Sequence, residues 1–154
     1  MVQETQDQLQ RQDKILPLPR STRDFDFFYK GLEDGKLLVQ KCGDCGTIRN
    51  PPTPMCPHCL SLKWKAIECE GSGTLHSFTV HHHPPLPSFE VPHGIVLVDM
   101  REGFRLLGSL RQGDIPKIEI GMLLKAEIIR RGDVATFQFC AASPIETDRN
   151  GRQQ

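Results

Sequence analysis

Cys42-Gly-Asp-Cys45, ten intervening residues, and then Cys56-Pro-His-Cys59 is the stretch on which the reading of this chain turns. Zinc prefers four tetrahedral ligands, and each Cys-x-x-Cys turn offers two sulfurs to one ion while its backbone amides face them. Two such knuckles make a closed four-thiolate site, which organises structure and keeps no position open for water or substrate. Four unrelated buried thiols would need this paired spacing by accident. Rubredoxin-type iron sites use similar knuckles, and the short spacer favours a zinc ribbon over them. The expected cofactor is one structural Zn2+ on Cys42, Cys45, Cys56 and Cys59. His58, inside the second knuckle, reads as an exposed loop histidine because four cysteines already fill the set. Residues 42–60 are rich in Cys, Gly and Pro and cannot pack a core of their own, so the metal must hold them.

Upstream, Lys36-Leu-Leu-Val-Gln40 reads as a strand that runs straight into the first knuckle. Before it, Phe25, Phe28, Tyr29 and Leu32 recur at i, i+3, i+4 and i+7, the spacing of one helical face. A helix over 22–34 is expected, capped by Ser21 or Thr22 and ended by Gly35. Residues 1–20 read as an extended arm, since Pro17 and Pro19 exclude regular helix.

Downstream the pattern becomes strand-like. Trp64–Glu70 continues past Gly71 and Gly73 into Thr74–His81, and further strands are expected at 94–101, 104–110, 122–130 and 134–141. One parity is apolar in each of the last three: Phe104, Leu106 and Leu110; Leu124, Ala126 and Ile128; Ala135, Phe137 and Phe139. Glu102-Gly103 reads as a two-residue turn, and Arg131-Gly132 or Gly132-Asp133 as another. Five strands, the first bent at its glycines, with a connection through 115–121, fit a small Greek-key barrel of the OB type; a sandwich fragment is the competing reading. The chain is thus expected to be mainly β, with an arm over 1–20, a helix over 21–35, a ribbon over 36–65, a barrel over 66–142 and a polar tail over 143–154.

Composition bounds the function. The 154 residues are 38% hydrophobic with 13 glycines, as in a folded domain. Nineteen Lys and Arg balance nineteen Asp and Glu, and no segment has the charge excess that draws a chain to a polyanion. A single-stranded nucleic-acid binder is the alternative an OB barrel raises, with Phe78, Phe104, Phe137 and Phe139 as its stacking platform. Their alternation with polar residues marks them as core instead, and nucleic acid is not an expected partner. No apolar run approaches the ~20 residues that span a bilayer. The polar N-terminal stretch lacks the basic start and apolar run of a secretory signal, so the expected location is the cytoplasm, where disulfides rarely persist.

Cys69 and Cys140 lie on expected strands and read as small hydrophobes. His81, His82 and His83 are consecutive, and on an extended chain neighbours point to opposite sides, so the three cannot converge on one ion without a sharp bend. The loop over 82–93 holds four prolines together with Leu86 and Phe89, apolar residues in a stiff connection, and those two are the candidate partner-binding residues. Gly71-Ser-Gly73 has no following helix and is not a phosphate cradle. No nucleophile stands beside a base, and no catalytic residue is assigned.

In this order the motifs resemble the acyl-CoA-associated zinc-ribbon/OB-fold family, whose members accompany thiolase-like enzymes. The resemblance rests on Phe28-Tyr-Lys-Gly-Leu-Glu-Asp-Gly-Lys-Leu-Leu-Val-Gln-Lys-Cys42, the ribbon with Pro51-Pro52, Gly71-Ser-Gly-Thr74 leading into Ser77-Phe-Thr-Val80, and Asp99-Met-Arg-Glu-Gly-Phe-Arg-Leu-Leu-Gly108. It implies a rubredoxin-like zinc ribbon and an OB barrel docked on a thiolase or thiolase-like aldolase. It also implies a hetero-oligomer handling a β-ketoacyl-CoA or β-hydroxyacyl-CoA. A stand-alone chain of this size is similar to the small subunit of benzoylsuccinyl-CoA thiolase. Whether acyl-CoA touches the barrel does not follow from the residues.

Overall fold

The computed structural model describes residues 22–85 and 89–142. The arm over 1–20, the tail over 143–154 and Leu86 lie outside the described residues. One short helix, α1 (Asp26–Glu33), precedes eight strands: β1 (Leu38–Cys42), β2 (Ile48–Arg49), β3 (Trp64–Glu68), β4 (Ser72–His81), β5 (His93–Met100), β6 (Arg105–Ser109), β7 (Leu123–Arg131) and β8 (Val134–Ala141). A 3-10 helix over Gln112–Lys117 sits between β6 and β7.

Helix α1 starts four residues later than its apolar spacing suggests. Residues 22–25 form a turn in which the Phe25 and Asp26 amides both donate to the Thr22 carbonyl; among the described residues no side chain caps the helix, and Ser21, the other expected cap, lies outside them. Its end is as expected. Gly35 takes φ +76°, the Gly35 amide donates to the Leu32 carbonyl and the Lys36 amide to that of Gly31. This paired termination needs a left-handed residue, which glycine adopts without a Cβ penalty. Leu32 is buried, and the Phe28 ring meets Phe137 edge-on, so the helix lies against the far end of the chain.

The ribbon is a three-stranded antiparallel sheet in the order β2-β1-β3. The strand expected at 36–40 is shifted to Leu38–Cys42, which places the first cysteine at the strand's end. Trp64–Glu68 pairs with β1 from Leu38↔Glu68 to Cys42↔Trp64. It therefore belongs to the ribbon, correcting the expectation that it opens the barrel. The positive φ of Gly71 (+77°) turns the chain between the two sheets.

The barrel is a five-stranded antiparallel sheet in the order β6-β5-β4-β7-β8. It closes where Leu110 meets Phe139 in a parallel bridge and the Arg111 amide donates to the Phe139 carbonyl at 2.7 Å. First-to-fourth strand pairing and third-to-fifth closure make this an OB barrel, which decides against the sandwich. Gly73 is required where β4 crosses β5: a Cβ there would lie 2.5 Å from the Asp99 carbonyl oxygen. The turn between β5 and β6 has three residues, Arg101 to Gly103, because Met100 and Phe104 still pair; Gly103 takes φ +83°. The β7–β8 turn is Gly132-Asp133, flanked by the pair Arg131↔Val134.

One core runs through all three parts: Leu32 of the helix and Leu37 and Val39 of the ribbon join Leu75, Val96, Val98, Leu106, Leu124 and Phe139 of the barrel. Phe104 and Phe139 are buried and Phe137 is partly so, as their alternation predicts. Phe78 is 39% exposed, which corrects its assignment to the core. It lies on β4 beyond the stretch, Ser72 to Thr74, that β7 covers.

Candidate metal centre and the hairpin-tip cavity

The metal centre is built from two turns of nearly the same form. The Cys42 amide donates to the Thr47 carbonyl at 2.9 Å, and the Cys56 amide to the Ser61 carbonyl at 2.9 Å. Each turn needs one left-handed residue after its second cysteine. Gly46 supplies it in the first (φ +77°) and Leu60 in the second (φ +60°).

These turns bring the four sulfurs within 4.8 Å of one another. Cys42 and Cys59 Sγ are 3.5 Å apart, and Cys45 and Cys56 Sγ are 3.6 Å apart. That is far beyond the ~2.05 Å of a disulfide. A tetrahedron with metal–sulfur bonds of ~2.3 Å has edges of about 3.8 Å, so the donor set fits one structural zinc. Cys42 and Cys56 are buried, while Cys45 and Cys59 face solvent.

Electrostatics points the same way. The Cys45 backbone amide and then the Arg49 guanidinium hold the Cys42 thiol down at about 5. The hydroxyl and amide of Thr47 lower Cys45. At Cys59 the Ser61 amide pulls downward, but the Cys45 side chain, burial and the other thiols outweigh it and push Cys59 up to about 12. Four sulfurs this close cannot all ionise by themselves, because each thiolate raises the cost of the next. A dication removes that conflict.

Arg49 is a site residue that spacing rules miss. It is 2% exposed, and its guanidinium donates to the carbonyls of Thr53, Pro54, Ser61 and Lys63. A divalent ion with four thiolates carries a net double negative charge, and a buried guanidinium beside Cys42 and Cys56 offsets part of it. An arginine inside a Cys/Pro/Gly-rich stretch gives no local signal of this role.

The remaining candidates are dispersed. His58 is exposed and outside the sulfur cluster. Cys69 is buried just past β3 rather than on it, and burial followed by the nearby Glu102 charge pushes its thiol up to about 11. Burial likewise raises Cys140. Neither has the depressed pKa of a reactive cysteine. Phe89 is not free-standing: its ring lies 4.8 Å from that of His93, and the Arg131 guanidinium sits 5.9 Å from its centroid. Phe89 and His93 join Thr79, Val80 and Ile95 around a cavity of about 550 Å³ at the tip of the β4–β5 hairpin. Burial, the Arg131 charge and His81 together lower His93, favouring the neutral ring. On the outer face of the barrel, Asp99 accepts from Arg105 Nε at 2.7 Å and lies 2.8 Å from His76 Nδ1.

Fold and site together define a protein in which a four-thiolate zinc ribbon is joined to an OB barrel. Residues 30–64 match the family model described as the ChsH2 rubredoxin-like zinc ribbon domain, and residues 66–128 match that of the ChsH2 C-terminal OB-fold domain. The chain belongs to this ChsH2 (DUF35) family. A solved structure titled Ltp2-ChsH2(DUF35) aldolase superposes with a TM-score of 0.77 at 37% identity, over 82% of this chain and 100% of that one. The probable enoyl-CoA hydratase alpha subunit of Thermomonospora curvata is 42% identical over 113 residues, 73% of this chain. The 3-oxo-4,17-pregnadiene-20-carboxyl-CoA hydratase alpha subunit of Mycobacterium tuberculosis is 40% identical over 111 residues, 72% of this chain. The chain spans 35% of the length of each of these two relatives. Among the described residues, no helix is long and apolar enough to cross a membrane.

Proposed function

We propose that this chain is a non-catalytic subunit that docks on a thiolase or thiolase-like aldolase, supports its assembly and shapes the access of its acyl-CoA substrate. The observation that carries this reading is the likeness to the ChsH2(DUF35) chain of an aldolase over that chain's whole length. The hydratase relatives match over only a third of theirs, so hydration would belong to parts this chain does not match.

Cys42, Cys45, Cys56 and Cys59 hold the zinc, whose filled coordination sphere leaves it a structural part. The substrate class is a β-ketoacyl-CoA or β-hydroxyacyl-CoA, with an aromatic acyl-CoA such as benzoylsuccinyl-CoA the narrowest form of the idea. Leu86 and Phe89 in the 82–93 loop, together with α1, form part of the docking surface. A loop stiffened by proline loses little entropy on docking.

The test is co-expression with a thiolase-like protein, followed by size exclusion and assays of thiolysis and retro-aldol cleavage. The expected result is a stable complex whose activity needs both chains, with the isolated subunit inactive. In the L86A/F89A double variant, complex formation should weaken by about tenfold or more while the subunit keeps its zinc. Turnover by the homogeneous subunit, or a partner equally active and monodisperse without it, would overturn the proposal.

A further inference from the structure

Four of the chain's six histidines, His81, His82, His83 and His93, line the hairpin-tip cavity. The objection to a metal here is that three consecutive residues cannot converge, but the fold supplies ligands from two strands. His81 and His93 are directly opposed partners in the antiparallel β4–β5 ladder. Opposed residues project to the same side of a sheet, with Cβ atoms ~4.5–5.5 Å apart. Two imidazoles at that separation can hold one ion at metal–nitrogen distances of ~2.0–2.1 Å.

The hydrogen bonds favour the same use. His81 Nε2 lies 2.7 Å from the Pro84 carbonyl oxygen, which only accepts, so Nε2 carries the proton and Nδ1 of the neutral ring keeps its lone pair. His93 Nε2 lies 3.3 Å from Ser109 Oγ, which can accept its proton and leave Nδ1 as the donor to a metal. A metal-binding histidine is commonly oriented in this way, its second ring nitrogen donating to an oxygen of the protein.

We propose that the hairpin-tip cavity is a second metal site, distinct from the four-thiolate centre, in which His81 and His93 chelate a borderline divalent cation such as Zn2+, Ni2+ or Cu2+. Among the described residues no third His, Cys, Asp or Glu converges on this pair, so the remaining positions fall to water or a small anion. Imidazole donors suit these ions and are poor ligands for Mg2+ or Ca2+. The Arg131 guanidinium over Phe89 repels a dication at His93, and an anion in a remaining position offsets part of that repulsion.

The experiment uses the untagged full chain with its ribbon zinc in place. Titration with Ni2+ and with Zn2+ in a non-coordinating buffer should show one further equivalent per chain. The Cu2+ form should give an electron paramagnetic resonance spectrum split by at least two imidazole nitrogens. His81→Gln and His93→Gln should each weaken the added equivalent by about tenfold or more, with His58→Gln neutral and the ribbon zinc retained throughout. No further equivalent in the unaltered chain, or undiminished affinity in the His81→Gln/His93→Gln double variant, overturns the site. So does loss of binding on His58→Gln. If a variant loses its ribbon zinc, the copper spectrum of the unaltered chain decides, and absence of two-imidazole splitting overturns the proposal. None of these outcomes depends on a partner enzyme.

Discussion

Leu60 and Gly46 occupy equivalent places in the two knuckles, yet only one of them has a side chain. A left-handed leucine costs about 1–2 kcal/mol relative to its ordinary conformations, and this one is also 66% exposed. Leu60→Gly should leave zinc content unchanged and raise stability by about 1 kcal/mol in denaturant titration. Gly46→Leu should lower it by a similar amount. Arg49 works in the other direction, since it is buried and donates to four carbonyls. Arg49→Met should cost about 3 kcal/mol or more and hasten zinc loss to a chromogenic chelator. At this scale the sequence is uneven. The four ligands are legible because a metal imposes spacing, whereas Arg49 is not, because its partners are backbone carbonyls that no residue pattern advertises.

Among elements, the strands of the barrel were readable from alternation, and Val134–Ala141 begins and ends where the pattern says. Misreadings fall where local periodicity yields to pairing. Trp64–Glu68 looks like the start of a long bent strand, but its partner is β1, which only the ribbon's closure brings alongside. The 3-10 turn at 112–117 contains Gly113 and Pro116, which conceal any helical signal. That turn is fixed by Asp114, which accepts from the Ala141 amide at 3.0 Å and from Arg111 Nε at 2.9 Å. Burial alone would raise the Asp114 carboxyl, but the Ala141 amide and Arg111 outweigh it and hold it below its ordinary value. A depressed carboxyl contributes stability that is fully present above its unfolded pKa of ~3.9 and is lost as pH falls through the folded value. Asp114→Asn should therefore cost about 1 kcal/mol at pH 7, and the gap from the unaltered chain should close in urea titrations carried below about pH 4.

For the whole molecule, the shared core means that ribbon and barrel should not melt separately. Leu37 and Val39 sit in the same cluster as the barrel's Val96 and Phe139, and Asn50 Nδ2 donates to the Arg105 carbonyl at 2.5 Å across the junction. Structural zinc contributes its binding free energy to folding. Stripping the metal should therefore lower the melting temperature of the entire chain. Trp64, the only tryptophan, reports on the ribbon and far-UV circular dichroism on the strands. The two should move together in a single transition; a barrel that melts unchanged after zinc removal would show the parts to be independent.

The barrel's closure also bears on how the protein behaves when concentrated. Leu110 and Phe139 join the two ends of the five-stranded sheet at a single bridge, which holds the outer edges of β6 and β8 near each other at that point. Another open edge is β3 of the ribbon, which has β1 on one side only among the described residues, and Lys65 and Glu68 stand exposed on it. Charges on an edge oppose the addition of a foreign strand. Fibrillar aggregation, if forced, should begin at this edge, and replacing Lys65 with an apolar residue should shorten its lag time.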